Sequence, residues 1–483
     1  MLQFGLAYYL QEKINGDFFA IIDTPNNPKK MFQNQKLVNF EKSWYFHDHI
    51  KKITKEPDFE YLSNFEKKYN IDLWKMAINE RHFYRFNKFY KFTTNEILVF
   101  LEQECKLFES ILDKVDPDYF LTYDPPFHHQ KLIMDMCKVR GIKVLCVFFS
   151  RIGGKSIVAE NGATQDLPQS LEKIELEDIK KNEMNANNES KYSSEAQSYK
   201  IDRTATTFDK IRALFDYILL SDTKNTEMNF TYFGRTKRKV ILDNFSLILQ
   251  RKIRGRFMNK NLEKIVDFEK KYVYFPMNIE EELSVLHYSE FFTNQIEVIR
   301  NISKSLPINY ELYVKEHLFA EFRGWHTIDE YKEILEIPNV TLIHPSFSSE
   351  KLIKNSKLVV TTRGTASFDA ARHNIPSVVF GDVPFEILPS VYKVNNLNDL
   401  PKLIKSALKT KVDPEYLRKY IKLVDSRSVD FSMMEFEVKR NNQFYSGNTL
   451  SDVDFYEKDV KKFLENNRNY FKTLVDSHLS KID

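Results

Sequence analysis

Two rhythms of apolar residues run along this chain. From Glu96 to Val115 they recur about every 3.6 residues, as on one face of a helix, and the next stretch, "DYFLTYD", is a short β-rich run. "HHQKLIMDMCKVRG" then reads as a helix ending at Gly141, and "KVLCVFFS" as a buried strand, which together make a βαβ unit. Upstream, a helix-like opening, Leu2 to Ile14, precedes the strand "DFFAIID". Domains of this kind usually open on a strand, which leaves two readings open, an absent edge strand or a late start of the sequence.

The second half is more regular. "KYVYFP", "YELYVKE", "NVTLIH", "KLVVTT" and "PSVVFG" are strand candidates, and between them lie helical patterns at about 288–305, 329–336, 349–355 and 367–373. Short apolar β-rich runs alternating with helices predict a parallel, doubly wound sheet, whose ligands sit at the carboxyl ends of the strands. After Pro401 the pattern is helical, with an aromatic-rich tail (Phe455, Tyr456, Phe463, Tyr470, Phe471) expected to pack back on the body.

Two stretches break the pattern. From about 166 to 203 the composition turns polar, with "IKKNEMNANNESKYSSEAQSYK" almost free of large apolar residues, which predicts a surface insertion or flexible linker. From Arg235 to Lys260 nine Lys or Arg stand against one acid, Asp243, a distribution that suits either a solvated helix face or a surface touching anionic lipid or a phosphate-bearing acceptor. The expected domains are 1–262, containing the insertion, then 263–410, then a helical extension, 411–483.

Composition narrows the class. At 483 residues, 42% hydrophobic and 29% charged, the chain is long enough for two globular domains. A net charge of +3, from 71 basic and 68 acidic side chains, gives no reason to expect nucleic acid as a partner. Three cysteines without metal or redox spacing fit a reducing cytoplasm. No apolar run spans a bilayer and the N-terminus lacks a signal-peptide pattern, so a cytoplasmic protein is expected, with peripheral membrane contact through 235–260.

The candidate chemistry lies where predicted strands end. In "KLVVTTRGTASFDAARHN" the turn from Arg363 to Ser367 joins a strand's carboxyl end to a helix's amino end, where free backbone N–H groups favour phosphate. Gly364 would let a ligand approach the backbone, Thr365 and Ser367 add hydroxyls, and Arg363 adds a cation. Asp369 falls outside capping-box spacing, so capping does not fully explain it, and an acid there could reach a ribose hydroxyl. Lys315, Glu316 and His317 end a second strand; Asn278, Glu280, Glu281, Glu282 and Ser284 follow a third. In the first half, "TYDPPFHHQ" sets Asp124, His128 and His129 past a strand, Asp124 as the leading candidate base or nucleophile and His128 next. Adjacent histidines do not share a helix face, which argues against a joint metal site. "SRIGGKS" offers Arg151 on a flexible loop.

Residues 271–382 resemble the C-terminal domain of capsule-polysaccharide biosynthesis glycosyltransferases, the group that includes the capsule Kdo transferases. The likeness runs in order through "YVYFPMNIEEELSVLHYSEFFTNQIEVI", "LYVKEH" and "NVTLIHPSFSSEKLIKNSKLVVTTRGTASFDAARHNIPSVVFGD". It implies a GT-B fold, two Rossmann-like doubly wound domains facing across a cleft, with the nucleotide-sugar donor held by the second domain and a glycan or lipid-linked acceptor by the first. Glu282 and Ser284, Lys315 and His317, and Arg363 to Ser367 match the family's donor-side pattern, and neither a metal nor another cofactor is expected. The chain departs from that pattern at Leu318 in place of proline, at Glu280 and Glu281 in place of Gln-Pro, and at Asp369 in place of glutamate. Three other readings fit: a CDP-glycerol- or ribitol-type polyol-phosphate transferase, a non-hydrolysing nucleotide-sugar epimerase, and a catalytically inactive assembly protein.

Overall fold

The structure is a computed structural model that describes residues 1–24, 26–172, 174, 215, 230–445 and 454–482. From residue 175 on, the polar insertion expected at 166–203 lies outside the described residues. The chain forms two compact units: Met1–Gln165 with Glu177–Lys239 and Val424–Asp483, and Asp166–Leu176 with Val240–Leu423. In chain order the described strands are β1 (Phe19–Ile22), β2 (Lys42–Tyr45), β3 (Tyr119–Tyr123), β4 (Lys143–Phe149), β5 (Ser156–Ala159), β6 (Tyr272–Pro276), β7 (Glu311–Lys315), β8 (Val340–Ile343), β9 (Leu358–Thr361), β10 (Ser377–Val379), β11 (Val391–Lys393) and β12 (Ser428–Val429).

The second unit carries six strands in the order β11-β10-β9-β6-β7-β8, with every pairing parallel. Counted along this unit the order is 3-2-1-4-5-6, the doubly wound arrangement in which successive strands run outward from the centre first one way and then the other. Alternation divides the side chains between two faces. Val273, Phe275, Leu312 and Val314 join one buried cluster with Ile299, Ile302, Tyr331, Ile334 and Ile404 of the helices Gln295–Ser305, Ile328–Leu335 and Leu400–Ala407. Tyr272, Tyr274, Tyr313 and Val359 join another with Leu352, Ile353 and Ala370 of the helices Ser349–Asn355 and Ala366–Arg372.

The first unit is less regular. β3, the helix His128–Val139 and β4 form the expected βαβ unit, with Leu121 paired to Leu145 in a parallel register. The sheet then turns antiparallel: β5 pairs with β4, and β12, from near the C-terminus, pairs with β5. β1 and β2 form a separate parallel pair. The opening helix Leu2–Leu10 packs on the terminal helices Glu457–Asn466 and Arg468–Leu479 in a cluster containing Leu6, Leu10, Leu464, Phe471 and Leu474. Gly5 permits that approach, since a Cβ there would lie 2.2 Å from the Phe471 ring.

The chain is thus two Rossmann-like α/β units with C-terminal helices. The helix Lys237–Asn261 belongs to the second unit from residue 240 on, whereas the sequence pattern assigns it to the first. Its anchors explain why: Arg251 and Arg254 donate to the carbonyls of Phe322 (2.7 Å) and Gly324 (3.0 Å), and Met258 enters that unit's core.

Candidate functional site

In the second unit the strand order reverses between β6 and β9, and their carboxyl ends lie side by side. Asn278, just past β6, is fixed on three sides. Its N–H donates to Gln295 Oε1 (2.6 Å), its carbonyl accepts from Gln295 Nε2 (2.7 Å), and its side-chain amide donates to the Thr362 hydroxyl. Glu280 accepts from the Gln295 N–H at 3.2 Å, at the start of the helix Gln295–Ser305. Asn278 and Glu280 therefore hold this rim in shape, and Glu281 pairs with Arg323 at 2.9 Å.

The turn after β9 is pinned as well. Arg363 donates from Nε to the Asp382 carbonyl (2.7 Å) and its guanidinium lies 3.5 Å from the centre of the Tyr288 ring. Gly364 donates its N–H to Thr361 Oγ1 at 3.0 Å. A Cβ at 364 would lie 2.7 Å from that oxygen and 3.1 Å from Asn278 Oδ1. The glycine is therefore required by packing against Thr361 and Asn278; the sequence reading had it clearing space for a ligand. Thr365 is exposed at the start of the helix Ala366–Arg372 and makes no side-chain cap. The Ser367 hydroxyl is buried and, in this structure, has no hydrogen-bond partner. Glu282 starts the short helix Leu283–Leu286 without capping it through its side chain.

β7 ends one strand away. Lys315 is 5% exposed and donates to Ser349 Oγ at 2.9 Å. Burial pushes its ammonium down to about 8, against the pull of Glu316. Tyr274, buried on the same sheet face, feels the hydroxyl of Ser349 and the charge of Asp369, so Lys315, Ser349, Tyr274 and Asp369 share one neighbourhood. The sequence pattern singled out Lys315 and Asp369 but missed Ser349 and Tyr274; a tyrosine within an apolar strand and a serine at a helix start give no signal alone. His317 starts the 3-10 turn Leu318–Arg323, its Nδ1 accepting from the Phe319 N–H at 3.2 Å, and burial lowers its pKa. Glu316, fully buried, accepts from Tyr331 (2.8 Å), the His317 N–H (2.6 Å) and His326. Burial alone would lower His326, but Glu316 raises it to about 9. That carboxylate is committed to structure.

In the first unit the structure corrects the role expected of His128. The residue is 1% exposed and both ring nitrogens are taken: Nδ1 by Glu80 Oε2 at 2.7 Å and Nε2 by Glu104 Oε2 at 2.8 Å. Its backbone N–H also donates to Glu80, at 3.0 Å. Burial would lower the imidazole, yet Glu104 and Glu80 raise it to about 10. A histidine enclosed in this way has both ring nitrogens committed to carboxylates and leaves neither for a substrate hydroxyl in this arrangement. Ligand atoms of Glu104, His128 and His129 lie within 4.8 Å of one another, closer than adjacent positions on a helix suggest, but the ion pairs of His128 account for the grouping.

His129 has different surroundings. Nε2 meets Asp23 Oδ2 at 2.9 Å, Asp23 Oδ1 meets His47 Nε2 at 2.8 Å, and Gln130 donates to Asp23 at 2.8 Å. His129 Nδ1 has no hydrogen-bond partner, and the ring stacks on Phe46 with centres 4.2 Å apart. Burial would raise Asp23, but His129 and His47 hold it well below the usual carboxylate range. Tyr123, at the end of β3, is pushed up to about 12 by burial and then by Asp23. Asp23 follows β1, His47 follows β2 and Asp124 follows β3, half-buried; the linked polar group is Asp23 with His47, His129 and Gln130. Only Asp124 and His129 were singled out from sequence. Asp23, closing "DFFAIID", offered the same signal of an acid ending an apolar strand.

Residues 228–420 match the model of the capsule polysaccharide biosynthesis protein family. No curated protein matches the chain. Among solved structures the chain is similar to KpsC, beta Kdo 2,7 transferase, of Thermosulfurimonas dismutans at 10% identity, over 84% of this chain and 90% of that one, with a TM-score of 0.31. It is similar to UDP-GlcNAc 2-epimerase from Methanocaldococcus jannaschii at 12% identity over 84% and 99%, TM-score 0.25. It is also similar to the spinosyn rhamnosyltransferase SpnG complexed with thymidine diphosphate at 16% identity over 32% and 41%, TM-score 0.21.

Proposed function

We propose that this chain, whose residues 228–420 match the model of the capsule polysaccharide biosynthesis protein family, is a glycosyltransferase that moves a sugar from a nucleotide-sugar donor to a cell-surface polysaccharide or glycolipid acceptor. The observation that carries the reading is the doubly wound sheet of the family-matched unit, whose β6/β9 reversal point is bordered by Asn278, Thr362 and Arg363. Ligands of such sheets bind at that point.

In this reading the donor belongs to the second unit. Arg363 and Lys315 face the diphosphate, Thr365, Ser367 and His317 add hydrogen-bonding groups, and Asp369, Glu282 and Ser284 meet the ribose or base. Gly364 shapes the turn. A buried cation whose partner is a hydroxyl remains available to a phosphate. These cations neutralise the leaving group without a metal. The acceptor belongs to the first unit. In the transfer its hydroxyl oxygen bonds to the anomeric carbon as the bond from that carbon to the phosphate oxygen breaks. The nucleotide leaves with the bonding electrons, and the hydroxyl proton passes to Asp124. His129, oriented by Asp23, is the second basic group of that edge. The working place is the cytoplasm.

The test is a thermal-shift panel of CMP, CDP, UDP, GDP and dTDP. One nucleotide should stabilise the protein, by about 2.7 kcal/mol at a hundred times its dissociation constant, and Arg363→Ala should abolish the effect. If no nucleotide stabilises the chain, the donor site is not in the second unit as proposed. With the active donor, Asp124→Asn should lower kcat by about 10²- to 10⁴-fold and leave nucleotide stabilisation intact. A sugar isomer formed from free donor, with no transfer to acceptor, would replace the transferase reading with an epimerase.

A further inference from the structure

The helix Lys237–Asn261 carries an arrangement that the transfer reaction does not use. At 1.5 Å per residue its 25 residues extend about 37 Å. One side is committed to the second unit, through Arg251, Arg254 and Met258, and through Leu247, which lies where a Cβ on Gly324 would be. At 3.6 residues per turn the opposite side collects Leu242, Phe245, Ile248, Leu249 and Ile253. All five are exposed, Phe245 at 60% and Leu249 at 58%. Ordinary surface helices turn such residues inward and their charges outward; this helix turns its apolar stripe outward.

Charge identifies what fits the stripe. Arg238 lies ahead of it on the same side, and Lys252, Arg256 and Lys260 lie along and beyond its C-terminal end, all four exposed. Asp243, the one acid between 235 and 260, sits about 100° round the helix from Leu242, toward the packed side. An apolar stripe bracketed by cations, with no acid on its side, matches the boundary between headgroups and acyl chains of an anionic bilayer. A second copy of the chain fits it poorly, because antiparallel pairing would set Arg238 against Arg256 and Lys260. Among the described residues no helix is long and apolar enough to cross a membrane, so the contact is of the kind that lies on the surface.

We propose that the outward face of the helix Lys237–Asn261 docks the protein onto an anionic lipid surface, with Leu242, Phe245 and Leu249 entering the interface and Lys252, Arg256 and Lys260 meeting headgroup phosphates. The proposal does not rest on the transferase reading. Its test is co-sedimentation of the full chain with vesicles of phosphatidylcholine alone and of phosphatidylcholine with 30% phosphatidylglycerol, at low and high salt. Binding should require phosphatidylglycerol and weaken with salt. The variant Leu242→Ser/Phe245→Ser/Leu249→Ser should lose at least about tenfold in partitioning, and Lys252→Glu/Arg256→Glu/Lys260→Glu about a hundredfold. Because these side chains are exposed, both variants should keep the thermal unfolding midpoint of the parent, which separates lost docking from lost fold. Absence of vesicle binding, equal binding to both vesicle types, or parent-like binding by both variants overturns the proposal. So does a dimer in light scattering that the serine variant dissolves, which would assign the face to a second copy.

Discussion

Each unit buries a base near a strand end, and the two bases are treated in opposite ways. In the first, His128 stands between Glu80 and Glu104, so the group is saturated and excluded from water. In the second, Lys315 is almost as buried, yet its hydrogen bond goes to the neutral hydroxyl of Ser349. Burial of charge therefore does not mark a site by itself. A charge whose partners are complete holds architecture, while a charge left with a neutral partner has capacity for an anion.

The largest effects should come from removing the two bases in turn. His128→Ala would strand two buried carboxylates and should cost about 3–5 kcal/mol in urea denaturation. Lys315→Met replaces a buried cation, hydrogen-bonded to a neutral hydroxyl, by an apolar chain of similar length and should be neutral or slightly stabilising. The same change should weaken nucleotide binding at least about tenfold, the scale of one charge-assisted contact. If Lys315→Met destabilised the fold as much as His128→Ala, the distinction between saturated and unsaturated charge would fail.

Next in size is a pH effect of opposite sign in the two units. His128 titrates at about 10 in the folded chain against an ordinary value of 6.5. Its contribution is complete below pH 6.5 and is lost as pH rises through 10. Lys315 is depressed, to about 8 from 10.5, so its burial costs stability below pH 8 and that cost disappears as pH rises to 10.5. Nucleotide affinity should follow the protonated lysine and decline above pH 8, by up to about tenfold per unit, because a diphosphate binds the charged form. Titration by calorimetry from pH 7 to 9.5 reads this directly. Lys315→Met should flatten the profile, and a profile that stays steep in the variant would move the titrating group elsewhere.

Legibility in the sequence differs between the units for a physical reason. Five of the second unit's six strands were evident as short apolar runs because each is buried on both faces; β11, with three residues and one inward turn of pattern, was not. β5 and β12 carried no period that announces an antiparallel return, and they pair across more than 250 residues of chain. The rim residues Arg363, Lys315 and Asp369 were legible because polar groups interrupted apolar runs. The role of His128 was not, because the carboxylates that close it lie 24 and 48 residues away in sequence. Distance along the chain also hid the link between Asp23 and His129, separated by 106 residues.

The smallest effect concerns Gly364, where sequence and structure give the same residue different reasons. The turn before Ser367 suggested backbone kept bare for a phosphate, but the Gly364 N–H is already bonded to Thr361 Oγ1 and a methyl group would meet that oxygen at 2.7 Å. Gly364→Ala should therefore force the Thr361 side chain aside, release that bond and cost about 1–3 kcal/mol in stability. Nucleotide binding, measured well below the unfolding transition, should change only a few-fold, because Arg363 keeps its anchors at Asp382 and Tyr288. The opposite outcome, full stability with nucleotide binding lost, would put the ligand against the glycine itself. The turn would then belong with Lys315 among the groups held open, and not with His128 among those already satisfied.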